Sequence, residues 1–175
     1  RDEKAALGKI LQSAHAGELA AAYAYRGHWR SVSDLQERER IKQIEKEEWD
    51  HRSRVRHWMQ QLETKPSRTR EFLFASIGRV LGVLCFVSGR FFPMYFAGRL
   101  ESQNTAEYKE AAELASSLGM DACESDMLHM SEKEKEHEEY FHGVVRDHWF
   151  LPLRAGYSDG AEREPPFLTV ALFDS

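Results

Sequence analysis

Cysteine is scarce in this chain of 175 residues: only Cys85 and Cys123 occur, with no CxxC or Cys/His-rich spacing. That leaves a disulfide-stapled scaffold, a zinc ribbon and a rubredoxin-type iron centre without support, and it is compatible with a reducing compartment. Proline is nearly as sparse, with Pro66 and Pro93 the only two before Pro152, Pro165 and Pro166. Long helices are therefore permitted through most of the chain. Period-2 alternation of apolar and polar residues is almost absent, which speaks against sheets. A surplus of positive charge is missing too. With 24 Lys and Arg against 29 Asp and Glu, a general nucleic-acid binder working by phosphate neutralisation is excluded. No basic n-region followed by an apolar h-region stands at Arg1, so no signal peptide is visible in these residues.

What is present is an ordinary globular balance, 42% hydrophobic and 30% charged, at a length that suits one domain with a full core. Charge is uneven along it: residues 1–100 carry 18 basic and 12 acidic side chains, residues 101–175 carry 6 and 17. An anionic surface would meet the first half. Ala5 to Tyr25 and Ile41 to Leu62 have strong helix formers with apolar residues every third or fourth position, so each is expected to be a helix. A soft break lies at Ser31 to Asp34, and Lys65-Pro66-Ser67 stops the second helix. Helix is expected again over Glu101 to Leu118, ended by Gly119 in the manner of a C′ glycine, and over Asp121 to about His148. The expected fold is all-α, a four-helix bundle over residues 1–150. Residues 151–175, rich in Pro and Gly, are expected as an irregular C-terminal tail or strap.

Phe72 to Gly98 is long and mostly apolar. Three readings stand for it: a buried bundle helix with one greasy outer face, a monotopic contact with a membrane surface, or a span. The span is disfavoured, because Arg79 and Arg90 would each cost about 2.5–3.5 kcal/mol at a bilayer centre; the glycines and Pro93 favour a bend. Arg52, Arg54, Arg56, Arg68 and Arg70 lie just upstream, where they could meet anionic headgroups.

The informative feature is an internal repeat. Ile41, Ile44, Glu48, His51, Val55 and Trp58 have the same mutual spacing as Met127, Met130, Glu134, His137, Phe141 and Val144. Each set is a Glu-x-x-His pair in the middle of an apolar stripe on one helical face. Leu11, Ala14, Glu18 and Tyr25 likewise match Met94, Ala97, Glu101 and Tyr108 in spacing. Each half thus offers one helix with a lone core Glu and one with Glu-x-x-His. A bundle would bring together four carboxylates and two imidazoles, the ligand set of carboxylate di-iron and di-manganese proteins. Four carboxylates buried without a cation would repel and take up protons. Two divalent ions, iron with manganese as the alternative, would neutralise them. The candidate metal ligands are therefore Glu18, Glu48, His51, Glu101, Glu134 and His137.

Chance alone yields Glu-x-x-His pairs in so acidic a helical chain. Glu139 and His142 form one, but its face carries Glu132, Lys135 and Arg146, so it reads as solvated. His15, His28, His57, His129 and His148 are expected to be structural or surface groups. Tyr25 and Tyr108, two turns from a candidate ligand, are either core packing or contacts to the site.

These residues resemble the ferritin-like di-iron superfamily, and within it the demethoxyubiquinone hydroxylase family, over about Ile10 to Val145. His15-Ala16-Gly17-Glu18 is similar to that family's Asp-His-Ala-Gly-Glu, with Ala14 in place of the Asp. Glu48-Trp49-Asp50-His51 matches its Glu-x-Asp-His, and Glu134-Lys135-Glu136-His137 its Glu-x-Glu-His. The apolar Phe72 to Gly98 segment, leading to Glu101 and Tyr108, sits where the family has a hydrophobic helix before a ligand Glu. Glu107 replaces the family's His before the Tyr. The resemblance implies a monooxygenase that uses O₂ and two iron ions to hydroxylate a lipophilic, quinone-type substrate in ubiquinone biosynthesis, with Tyr108 as the candidate catalytic contact to the ring. It also implies peripheral association with a membrane, by residues 72–98. No electron-transfer module is visible, so the reducing equivalents are expected from an external electron donor or from a reducing substrate. Localisation is expected to be cytoplasmic or on the inner face of a membrane, and a homo-oligomer is compatible. The alternative is a rubrerythrin-like or ferritin-like protein that reduces peroxide or oxidises iron. Rubrerythrins typically carry a further Glu three residues after the third-helix ligand; here that residue is Asn104.

Overall fold

The structure, a computed structural model, describes residues 2–88 and 91–146. Among them are five helices and no strand: α1 (Asp2–Ser31), α2 (Leu35–Gln61), α3 (Arg68–Leu84), α4 (Phe91–Ser117) and α5 (Asp121–Arg146). The expected C-terminal tail, together with His148, lies outside the described residues. The all-α expectation holds. Both early helices are longer than their apolar periodicity suggested, because the breaks between them are local and capped. Asp34 caps α2 by accepting a hydrogen bond from the Glu37 amide at 2.8 Å, one of the donors a helix start leaves unpaired. At its far end Glu63 takes φ 59°, and the Thr64 amide reaches back to the Met59 carbonyl at 2.8 Å. Gly119 does the same for α4 with φ 68°, where the Met120 amide bonds to Ala115 O at 2.9 Å. Both turns are the six-to-one closure that ends helices with one left-handed residue.

Four of the helices make the bundle. α1 pairs along its length with α2, α4 with α5, and α1–α4 and α2–α5 contacts close it. The equally spaced stripes of the sequence all turn inward: Leu11, Ala14, Glu18 and Tyr25 of α1 and Met94, Ala97, Glu101 and Tyr108 of α4 are all buried. Apolar packing divides into two clusters. One holds Leu7, Leu11, Val55, Met59, Cys123, Met127 and Met130; the other holds Tyr25, Ile41, Ile44, Met94, Ala97, Phe141 and Val145. The six polar candidates fall between these ends in every stripe.

Phe72 to Gly98 is corrected by the structure: it is neither one bent helix nor a core helix. It supplies most of α3, a turn, and the first residues of α4, where Pro93 sits in the opening turn that needs no amide donor. α3 lies on α1 outside the four-helix core, and its buried residues are the small ones, Ala75, Gly78 and Gly82. A Cβ placed on Gly78 would stand 2.3 Å from the Ala20 carbonyl oxygen, and one on Gly27 2.3 Å from Gly82 Cα. Only glycine permits this backbone approach. The larger residues of α3 and the α3–α4 turn point outward instead. Phe72, Val80, Val83, Leu84, Phe86 and Val87 are exposed, as are Phe92, Phe96 and Leu100 at the start of α4. No helix among the described residues is long and apolar enough to cross a membrane.

Candidate metal centre

All six candidate ligands meet. Glu18, Glu48, His51 and Glu134 each place a ligand atom within 4.8 Å of the others, and so do Glu48, Glu101, Glu134 and His137. The two quartets share Glu48 and Glu134. A pair of cations held there would share those two carboxylates, and each would have one further Glu and one His. Every one of these side chains is 3% exposed or less, so water cannot solvate their charge.

The contacts are reciprocal. His51 Nδ1 lies 2.7 Å from Glu134, and His137 Nδ1 lies 3.2 Å from Glu48. Tyr25 donates its phenolic hydrogen to Glu101, and Tyr108 donates to Glu18. A residue seven along α1 thus meets the Glu of α4, and the residue seven along α4 meets the Glu of α1. This crossing requires antiparallel helices related by an approximate twofold axis through the centre. Of the two tyrosines, ambiguous in sequence, both turn out to be site contacts, and burial followed by the adjacent carboxylates pushes both phenols well above their ordinary range. They remain donors.

The atoms fit a pair of cations. Both oxygens of Glu48 and of Glu134, one each of Glu18 and Glu101, and Nδ1 of His51 and of His137 are buried without a hydrogen-bond partner. Several stand within ion-pair distance of one another, and they converge on one shared space. Orphaned acceptors at this density are costly unless something positive is among them. Burial, and then the neighbouring carboxylates, push Glu48 and Glu101 well above the usual carboxylate range, and burial raises Glu18. Glu134 goes the other way: against its burial, contacts with Glu101, His137 and His51 hold it low. Both imidazoles are raised against the effect of burial, His51 by Glu134 and Glu18, His137 chiefly by Glu101, Glu134, Glu47 and Glu48. The cluster therefore holds protons where cations would replace them.

Around it the structure adds partners that the stripes did not reveal. His137 Nε2 lies 2.6 Å from Glu47, which is held down to about 2, first by that contact. His15 Nδ1 lies 2.6 Å from Glu71 of α3, and Arg52 reaches the other oxygen of Glu71 at 2.6 Å. His15 and His28 are buried, whereas His57, His129, Glu139 and His142 are exposed. The last pair forms no part of the centre. Glu47 lies outside the apolar stripes, in the charged run Glu45-Lys46-Glu47-Glu48, and nothing in the sequence singled it out.

A four-helix bundle with a buried Glu₄His₂ cluster, two of whose carboxylates serve both halves, defines a ferritin-like protein of the di-metal carboxylate class. The chain belongs to the family described as Ubiquinone biosynthesis protein COQ7, whose model matches residues 5–118. It is accordingly a demethoxyubiquinone hydroxylase-like di-iron enzyme of ubiquinone biosynthesis. The match covers α1 to α4, with Glu18, Glu48, His51, Glu101 and Tyr108; Glu134 and His137 lie beyond it on α5 and join the others through the fold. No curated protein and no solved structure matches the chain.

Proposed function

We propose that Glu18, Glu48, His51, Glu101, Glu134 and His137 hold two iron ions, and that the chain hydroxylates the ring of a polyprenylated quinone precursor with O₂ at that centre. The observation that carries this reading is the pair of overlapping quartets with their unpartnered atoms, inside a bundle of the COQ7 family. Two iron ions would supply redox chemistry that no protein side chain can perform. Overall, a ring C–H, O₂, two electrons and two protons give a ring C–OH and water, so an external donor must supply the electrons.

The chain's residues supply the rest. Glu48 and Glu134, common to both quartets, would be shared by the two ions, and Glu18 and Glu101 would each serve one of them, steadied by the phenols of Tyr108 and Tyr25 respectively. Tyr108, stacked edge-on to His51 at 6.1 Å, is the candidate contact to the substrate ring. Met94 and Ala97 flank Glu101 on the helix that begins at the exposed apolar surface, which offers a greasy path inward. That surface, from α3 and the start of α4, rests on an anionic lipid bilayer. Part of the expected basic approach is used internally: Arg52 is bound to Glu71 and Arg54 to Asp50 and Asp126. Arg68 and Arg79 are exposed on α3 itself; Arg79 holds its guanidinium over the Tyr23 ring, 4.1 Å from the centroid, which leaves Arg68 as the candidate for headgroup contact.

The test is a single turnover of the reduced, iron-loaded protein with O₂ and a demethoxyquinone substrate. Ring-hydroxylated product is expected, and Tyr108→Phe is expected to slow it roughly tenfold or more, the value of one hydrogen bond to a charged group. Rapid oxidation by hydrogen peroxide, without hydroxylated product and without an effect of Tyr108→Phe, would overturn the reading in favour of a peroxide-reducing protein.

A further inference from the structure

The two halves of the centre match closely until the residue before each Glu that the quartets share. On α2 that residue is Glu47; on α5 it is Lys133. Glu47 Oε2 sits 2.6 Å from His137 Nε2, the ring nitrogen opposite the one that faces Glu48, Glu101 and Glu134. Glu47 is itself held in place. Gln43, one turn earlier on α2, donates to its other oxygen at 3.2 Å, and Arg40 lies 3.8 Å from the oxygen that meets His137. Lys133 makes no equivalent contact; its ammonium pairs with Glu136 at 2.7 Å. Among the described residues the carboxylates within ion-pair distance of His51 are Glu18 and Glu134 of the cluster itself. The approximate twofold is therefore broken by charge, with an anion behind one imidazole and a cation at the matching place in the other half.

We propose that Glu47 is a positioning residue that makes the two metal positions unequal. It accepts the Nε2 hydrogen of His137, which leaves the Nδ1 lone pair directed at the quartet of Glu48, Glu101, Glu134 and His137 and increases its donor strength. A carboxylate behind a ligating histidine fixes the ring's tautomer and orientation, and its removal typically weakens metal affinity by about 10–100-fold. Among the described residues His51 has no such carboxylate behind it. The ion beside His137 is held more tightly and loads first. This inference rests on the two-metal reading, and its test separates the two.

The experiment is titration of the full chain with Co(II) against a competing chelator, together with the imidazole N–H proton spectrum of the Zn(II)-loaded protein. Wild-type protein is expected to bind two ions with distinct affinities and to show a strongly downfield His137 Nε2–H. Glu47→Ala should weaken the tighter site by about 10–100-fold and remove that signal, while the weaker site stays within about threefold. Glu47→Gln keeps an acceptor oxygen without the charge, so it should retain an N–H signal, shifted upfield, and recover part of the affinity. Lys133→Ala should leave the tighter site unchanged. Glu47 is partly exposed, and thermal melts of the apoproteins check that each variant folds. Two ions bound by the wild type with identical affinities and shifts in Glu47→Ala would overturn the role of Glu47, as would equal weakening of both sites. A wild type that binds no ion pair at all would overturn the metal centre itself.

Discussion

His28 carries the clearest consequence at the scale of single residues. It is 3% exposed, stacks on Phe141 with ring centroids 6.3 Å apart, and its Nε2 has no hydrogen-bond partner among the described residues. Burial lowers its pKa from 6.5 to about 4. The unfolded chain then binds a proton that the folded one refuses between those values, so stability contributed by neutral His28 is full above pH 6.5 and is lost as pH falls towards 4. The shift corresponds to roughly 3 kcal/mol. Urea unfolding of metal-free protein at pH 7 and pH 4.5 should show a drop that is smaller in His28→Phe by roughly 2 kcal/mol, the part of that shift already expressed at pH 4.5; equal drops in both proteins would contradict it. The six residues that the fold brings together were legible at this same scale, because a polar residue repeated in the middle of two equivalent apolar stripes has no packing explanation. Glu47 and Glu71 were not legible: they lie outside those stripes, and their meaning comes from which helix lies opposite.

At the scale of elements, α3 is the part that periodicity misread. A run of apolar residues signals burial only if something covers it, and the sequence of Phe72 to Gly98 does not say what that is. The structure shows a helix fastened by its smallest residues and apolar on its uncovered side. Gly78 and Gly82, four apart, form the close crossing with α1, as small residues do where helices meet in lipid. Any side chain at Gly78 must push α3 away, since its Cβ would start 2.3 Å from Ala20 O. Gly78→Val is therefore expected to cost about 1–3 kcal/mol and to raise amide exchange across residues 68–84. Gly17→Ala is the control: a Cβ there meets nothing within 4 Å, and removing a mid-helix glycine should leave stability unchanged or raise it by about 0.5–1 kcal/mol. Equal behaviour of the two variants in denaturation and exchange would show that the glycine contact does not hold α3. The helix ends were half legible: Gly119 announced its turn, but Glu63 in a left-handed conformation did not, because nothing in a glutamate's chemistry marks it for one.

The whole molecule is two similar helix pairs closed around a charged centre, with an apolar apron on one side. Matched spacing made the twofold plan readable, since each stripe has to face its counterpart; the apron's partner was not readable, because exposure is a property of the assembled chain. If that apron meets lipid, the protein should float with vesicles of phosphatidylcholine mixed with phosphatidylglycerol more than with phosphatidylcholine alone. Raising salt should reduce the difference by screening the headgroup attraction. Failure to float with either vesicle would remove the bilayer from the account. The central claim, however, is the pair of metal ions, and iron content per chain after anaerobic reconstitution with Fe(II) tests it most directly. Elemental analysis should give about two iron ions for the wild type and for Glu139→Ala, whose carboxylate is on the outer face, and well below two for Glu134→Ala, which removes a ligand common to both quartets. A wild type with no more iron than Glu134→Ala, or equal losses from Glu134→Ala and Glu139→Ala, would contradict it.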